Sequence, residues 1–459
     1  MGGLFMNTLR FDLSKDGNKF KILNATNGGP WHKRHANDQG RSNFEDYKAA
    51  RIPYSRNHDS CLEMSYGGPY SHDISAIFPN FDADVNDPSS YDFACTDESI
   101  LICQEAGTET FFRLGQTIEH QIVKHHVFPP KDFKKWAEIC EHIIRHYNEG
   151  WANGYELDIK YWEIWNEPDL DIYQDYKRTW TGTSEEFFDL YETAAKHLKE
   201  KFPHLKIGGP ASCGREDWIE EFIKEMAKRK APLDFLSWHI YCSEPEWIAV
   251  RGDKVKKWLM ENGFEKTENH CNEWNYIKGW TGDDFIYSIK SMHGIKGAAF
   301  VSAAIALAQA STIDMLMYYD TRPSVFCGAF DLYTYEKLKG YYPLCWYGKF
   351  YDMEKEIPAE NKLDNLYSLC GVDKEGKVLS MVTYYSDDDS SGNKQVCLDF
   401  GKTGKYEAYL VDEDHDGELI CTTEKLEFDL KRNSILLIKE ILKIPRYSLG
   451  IGGRFIFRL

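Results

Sequence analysis

Lys160-Tyr161-Trp162-Glu163-Ile164-Trp165-Asn166-Glu167-Pro168-Asp169 decides how the chain reads. Bulky apolar and aromatic residues run together through Trp165, as in a buried strand. Asn166-Glu167-Pro168 ends that strand abruptly, because proline lacks the N–H a ladder needs. The carboxylate of Glu167 therefore sits where a strand runs out. In a (β/α)8 barrel that rim is where side chains from several strand ends converge. Asn166 beside it offers a donor and an acceptor.

A second stretch answers the first: Thr267-Glu268-Asn269-His270-Cys271-Asn272-Glu273-Trp274-Asn275-Tyr276. Again a glutamate lies among aromatics and amides. Glu273 follows Glu167 by 106 residues. One β/α unit takes roughly 30 to 35 residues, so the gap is about three units. That spacing predicts barrel strands 4 and 7, whose ends face one another across the mouth. Two carboxylates across a cleft are what glycoside hydrolysis needs. One protonates the leaving oxygen; the other attacks the anomeric carbon or activates water. A lone glutamate at a strand end is more often a surface residue or an ion-pair partner. The pair, with its flanking aromatics and three-unit spacing, is far more specific.

Five further stretches fall in order around these two. They are Ile52-Pro53-Tyr54-Ser55-Arg56-Asn57-His58, Trp180-Thr181-Gly182-Thr183 with Glu186 to Leu190, Lys206 to Ala211, Leu233 to Tyr241, and Phe326-Cys327-Gly328-Ala329-Phe330. Together with the two glutamates they resemble glycoside hydrolase family 39, the β-xylosidase and α-L-iduronidase-like family of a retaining clan, over roughly residues 20 to 350. The resemblance implies a (β/α)8 TIM barrel with an accessory antiparallel β-sandwich. It implies Glu167 as acid/base and Glu273 as nucleophile. It also implies Arg56 supporting the nucleophile, with His58, His239, Tyr241 and Asn166 around the substrate. A tyrosine hydroxyl from Tyr241 would hold Glu273 charged and oriented. Trp280, close after the nucleophile strand, is a candidate stacking platform. The expected activity is retaining, exo-acting removal of a terminal glycosyl residue, β-xylosidase-like. Other sugars of the same family (arabinose, glucose, a uronic acid), endo action and a carbohydrate-binding pseudoenzyme are the rivals. No metal and no cofactor are expected.

Composition fits that reading. The chain has 459 residues, 42% hydrophobic and 15% aromatic, enough for one large barrel and a smaller domain. Its formal charge of −18 repels phosphate backbones and argues against a nucleic-acid partner. It suits a glycoside or oligosaccharide that is neutral; a homo-oligomer stays open. Twelve cysteines without a Cys-x-x-Cys read as reduced core residues of a cytoplasmic protein. Met1 to Phe11 is too short and too poorly apolar for a signal peptide, and no run reaches the ~18 apolar residues of a membrane span.

The expected organisation is residues 1–19 as strand added to the sandwich, 20–355 as barrel, 356–443 as sandwich and 444–459 as a tail. Short alternating runs support the sandwich: Leu366 to Val372, Val378 to Tyr385, Gln395 to Phe400, Lys405 to Val411, Lys425 to Leu430 and Ser434 to Lys439. Asp412 to Gly417 is expected to be a turn rather than a calcium loop. Thr183 with Glu186 forms a capping box. His142 and His146, four apart on a helix over Lys131 to Tyr147, are expected on a solvated face. The long Ser60 to Asp92 loop is expected to shape the pocket, with Trp31 and His32 at its rim. One of Tyr318, Tyr319 and Asp320 should close it.

Overall fold

The computed structural model describes residues 7–15, 17–31, 41–58 and 71–441. His32 and the 444–459 tail lie outside the described residues, as do residues 60–70 of the long loop. Strand β1 (Asn7–Arg10) precedes a closed ring of eight parallel strands. These are β2 (Ile22–Asn27), β3 (Tyr54–Arg56), β4 (Glu109–Leu114), β5 (Tyr161–Ile164), β6 (Lys206–Ser212), β7 (Phe235–Cys242), β8 (Glu268–Tyr276) and β9 (Met315–Tyr318). The expected strands 4 and 7 are β5 and β8.

Helices cover the ring because its outward residues are apolar. Trp162, Trp238 and Trp274 are all fully buried between strands and helices. The helix Phe133–Glu149 lays Trp136, Ala137, Cys140, Ile143, Ile144 and Tyr147 on the barrel. The helix Ser184–Lys201 starts at the expected capping box, with Thr183 N–H donating to Glu186 Oε2 at 2.8 Å and Glu186 N–H to Thr183 Oγ1 at 3.2 Å. The solvated face expected for both histidines is corrected at His146. Its ring is buried, stacks on Phe93 at 3.5 Å and pairs with Asp97 at 3.0 Å, because the helix Ala94–Glu105 packs across it.

Inside the ring the side chains form layers. Ala25, Tyr54, Phe111, Tyr161, Phe235, Met315 and Met317 form an apolar plug, with the His270 ring stacked on Phe235. Glu268 edges this plug, 3.0 Å from His270 Nε2 and 3.2 Å from Lys206 Nζ, and accepts from Tyr161 Oη at 2.9 Å. Burial alone would raise its carboxyl, but the His270 ring, Lys206 and Tyr161 outweigh that and hold it down to about 2. A depressed carboxyl contributes stability that is full above its unfolded pKa and lost as pH falls through its folded one. Glu268→Gln is therefore expected to cost on the order of 2 kcal/mol at neutral pH and almost nothing near pH 2. Urea midpoints measured from pH 7 to 2 check this; wild-type and variant curves that stay parallel would refute it.

After β9 the helix Tyr341–Gly348 leads to two facing sheets. One has the order β10-β11-β12-β17-β14-β15, from β10 (Lys355–Glu356), β11 (Leu366–Val372), β12 (Val378–Tyr384), β14 (Lys405–Val411), β15 (Asp416–Thr423) and β17 (Ser434–Ile441). The other has the order β1-β13-β16, with β13 (Lys394–Asp399) and β16 (Glu427–Leu430). Leu9, Val396, Leu398 and Leu430 from one share a core with Leu366, Val382, Ala408 and Leu436 from the other, so the pair is a sandwich. It departs from a purely antiparallel one because β1 runs parallel to β13. The turn expected at Asp412 to Gly417 is present, with Asp412 Oδ1 accepting from the N–H groups of Asp414 and His415, but its last two residues begin β15. No single helix among the described residues is long and apolar enough to cross a membrane.

Candidate active site

Above the apolar plug the barrel interior turns polar. Arg56, on β3, is fully buried. Its Nε donates to Glu163 Oε2 at 2.6 Å, its Nη1 to Glu273 Oε1 at 2.7 Å and Asn27 Oδ1 at 3.2 Å, and its Nη2 to Asn166 Oδ1 at 2.7 Å. Burial would lower the guanidinium pKa, but Glu163 and Glu273 more than offset it, so the pair of carboxylates keeps it charged. Glu163 is held in turn by Ser237 Oγ and Asn272 Nδ2, each at 2.6 Å.

Glu273 reaches this centre through a bulge in β8. His239 pairs with Glu273 in the ladder while Trp238 pairs with Cys271, which leaves Asn272 as the extra residue. A bulge lets consecutive residues face the same way. Asn272 thus reaches Glu163 while Glu273 reaches Arg56, both inward. The second oxygen of Glu273 accepts from Tyr241 Oη at 3.0 Å. His58 Nε2 stands 4.0 Å from Glu273 Oε1. Arg113 sets that histidine by donating to its carbonyl at 3.2 Å and to Asp73 at 2.8 Å.

Glu167 sits on strained backbone. Trp165 has φ +75° and Glu167 φ +48°, both left-handed. Such residues cost about 1–3 kcal/mol each and persist only where the surroundings enforce them. Here Trp165 N–H donates to Leu114 O at 2.7 Å, Glu167 N–H to Ala211 O at 2.8 Å and Thr179 Oγ1 to Glu167 O at 2.5 Å. The result turns the Glu167 carboxyl inward, where His239 Nδ1 lies 2.8 Å from Oε1. Burial pushes the Glu167 carboxyl up to about 8, with Asp169 adding to the shift and Arg56 opposing it. Burial also lowers the His239 imidazole, favouring its neutral form.

One oxygen each of Glu167 and Glu273 and a ring nitrogen of His239 lie within 4.8 Å of one another. Three such atoms could meet a cation, but Arg56 and Tyr241 already occupy the Glu273 oxygens. The two carboxyls floor a cavity of about 890 Å³. Its walls come from the segments after β4 (Ile118, His120), β5 (Leu170, Arg178), β7 (Glu244 in the loop, Trp247 at the start of the helix Glu246–Glu261), β8 (Lys278, Trp280) and β9 (Tyr319, Phe326). A family model for glycosyl hydrolases family 39 matches residues 46–281, which contain both glutamates and Arg56.

The chain belongs to glycosyl hydrolase family 39. This family 39 protein is 39% identical over 174 residues to a beta-xylosidase of Geobacillus stearothermophilus, a match covering 33% of each chain. It is 31% identical over 188 residues to a beta-xylosidase of Caldicellulosiruptor saccharolyticus, covering 39% of this chain and 36% of that one. The matches thus span about a third of the length of these curated relatives. Among solved structures, a glucosidase from Croceicoccus marinus aligns over 96% of this chain and 100% of its own, with TM-score 0.76 at 20% identity, a likeness of fold.

Of the residues expected to meet substrate in this family 39 site, Tyr241 and Trp280 line the cavity. Asn166, Arg56, His58 and His239 are buried and stand outside its described lining. Asn166 corrects the expectation of a free donor and acceptor: its oxygen is taken by Arg56, and only its buried Nδ2 lacks a partner. Of the three candidates after β9 it is Tyr319 that faces the cavity. Tyr318 stands outside that lining, its oxygen accepting from Gly328 N–H at 3.0 Å and Asn275 Nδ2 at 3.2 Å, while Asp320 pairs with Arg322 at 2.7 Å. Trp31 is buried against Tyr335 and does not rim the cavity. Residues 71–92 do not line it either; Asp73 acts through Arg113 instead. Sequence reasoning passed over Glu163. Its position two after Tyr161, on the inward face, was the available signal, since a buried Arg56 needs a counter-charge.

Proposed function

We propose that this protein is a retaining, exo-acting glycosidase of β-xylosidase type. The separation of the two carboxyls supports this reading most directly. A retaining pair stands about 5 to 5.5 Å apart, whereas an inverting pair stands about 6.5 to 9.5 Å apart to admit a water. One oxygen each of Glu167 and Glu273 lie within 4.8 Å of each other, which favours the closer, retaining spacing. The environments also divide the labour. Glu273 takes hydrogen bonds from Arg56 and Tyr241, which favour the charged nucleophile. Glu167, raised to about 8 by burial, carries the proton that the leaving oxygen needs. Glu273 attacks the anomeric carbon as Glu167 gives up its proton. Glu167, now a base, then deprotonates the water that releases the sugar. Trp280, on the cavity wall, offers its face to a sugar ring. The β-xylosidase relatives supply the choice of sugar.

A panel of nitrophenyl glycosides tests the reading. β-Xyloside turnover is expected, with the β-anomer seen first by NMR. kcat/KM should hold across neutral pH and fall above about pH 8, as Glu167 loses its proton before substrate arrives. An α-anomer as first product overturns the retaining mechanism. Binding of sugars without hydrolysis of any of them would make the protein a lectin-like pseudoenzyme.

A further inference from the structure

The sandwich touches the barrel where the cavity wall is made. Asp387, in the loop between β12 and β13, accepts from Tyr276 Oη at 2.6 Å, at the end of the β8 strand that carries Glu273. Its other oxygen lies 3.4 Å from Lys278 Nζ. Lys296, nearly buried, donates to the Asp387 carbonyl at 2.7 Å and stands 3.0 Å from Asp389. Tyr385 Oη donates to Ser243 O, and Tyr367 Oη to Glu246. So three sandwich residues grip the loops after β7 and β8.

Both gripped loops line the cavity, through Ser243, Glu244 and Trp247 on one and Lys278 and Trp280 on the other. Lys278 matters most. It lines the cavity two residues before Trp280, and its side chain is 41% exposed. An ammonium carries three donors, and at most one is directed to Asp387. The long lysine stem is floppy in water, so the Asp387 carboxylate, with the Tyr287 ring 5.1 Å from the ammonium, decides where the remaining donors point.

We propose that Lys278 binds hydroxyls of the sugar seated against Trp280, and that Asp387 of the sandwich is the positioning residue that aims it. The accessory layer thereby completes the substrate site of the barrel. The proposal rests on the glycosidase reading. Lys278 touches the ring and not the reacting atoms, so its loss weakens ground state and transition state alike, which raises KM and spares kcat.

The test is a double-mutant cycle on the best nitrophenyl glycoside. Lys278→Met is expected to raise KM about tenfold with kcat within about twofold, the size of one charge-assisted hydrogen bond. Asp387→Asn should raise KM by several-fold in the wild-type background and by less than about twofold when Lys278 is already methionine. Asp387→Glu should recover part of the loss. Tyr367→Phe, which loosens the sandwich from the barrel at Glu246 without touching Asp387 or Lys278, should leave KM in place and serves as the control for general loosening. KM effects that add in the double variant, or a Lys278→Met protein with wild-type KM, overturn the proposal while the glycosidase reading stands. A wild-type protein that neither hydrolyses nor binds any glycoside overturns both.

Discussion

Glu273→Ala is expected to lower kcat/KM by roughly 10⁴-fold or more on every substrate the wild type accepts. The reason lies in what surrounds this carboxylate. Arg56 and Tyr241 hold one oxygen each, at 2.7 and 3.0 Å, so no other group can take its place opposite Glu167. A small anion such as azide should enter the vacated space, drawn by Arg56, and attack from the same side. The product would then be a glycosyl azide of inverted configuration, visible by NMR. Glu167→Gln should behave differently. It removes the proton donor, so turnover falls most for alkyl and sugar leaving groups and least for nitrophenol, which leaves unaided. Equal losses across leaving groups would remove Glu167 from its role, and a Glu273→Ala protein with more than about a hundredth of wild-type turnover would remove Glu273 from its own.

The second large effect concerns folding. Arg56→Leu is expected to destabilise the protein by about 3–5 kcal/mol, because it strands the carboxylates of Glu163 and Glu273 in the barrel interior. Glu163 is fully buried and Glu273 nearly so. Three guanidinium nitrogens serve four acceptors here, and a lysine cannot reproduce that fork. Arg56→Lys should therefore recover little. Adding Glu163→Gln to Arg56→Leu should return part of the loss, since one stranded charge disappears. Equilibrium denaturation measures all three. A loss below about 1 kcal/mol for Arg56→Leu would mean that water reaches this network and screens it.

Much of this was legible before any coordinates. Asn-Glu-Pro ending an aromatic strand, and a second glutamate three units later, announce strand ends that must converge. Arg56, His58, His239 and Tyr241 follow from strand alternation near those ends together with the family likeness. The bulge at Asn272 was not legible, because nothing in the local sequence distinguishes one extra inward residue from ordinary alternation. β15 escaped notice because most of its side chains are exposed and carry no alternation. The cavity wall escaped too: Arg178, Lys278 and Glu244 come from loops whose proximity depends on ring closure and on the sandwich behind them. The burial of His146 depended on a neighbouring helix, which periodicity on its own helix cannot reveal.

The parallel pairing of β1 with β13 bears on how the chain is made. The side chain of Asn7 bonds the carbonyl of Gln395, 388 residues later. At synthesis rates of about 5–20 residues per second, β1 waits roughly 20 to 80 seconds for its neighbour while the whole barrel emerges between them. During that interval Leu9 and Phe11, which end up buried, have no sheet to join. A fragment cut to the barrel alone would inherit that orphan strand at its front, so trimming one end of the molecule requires trimming the other.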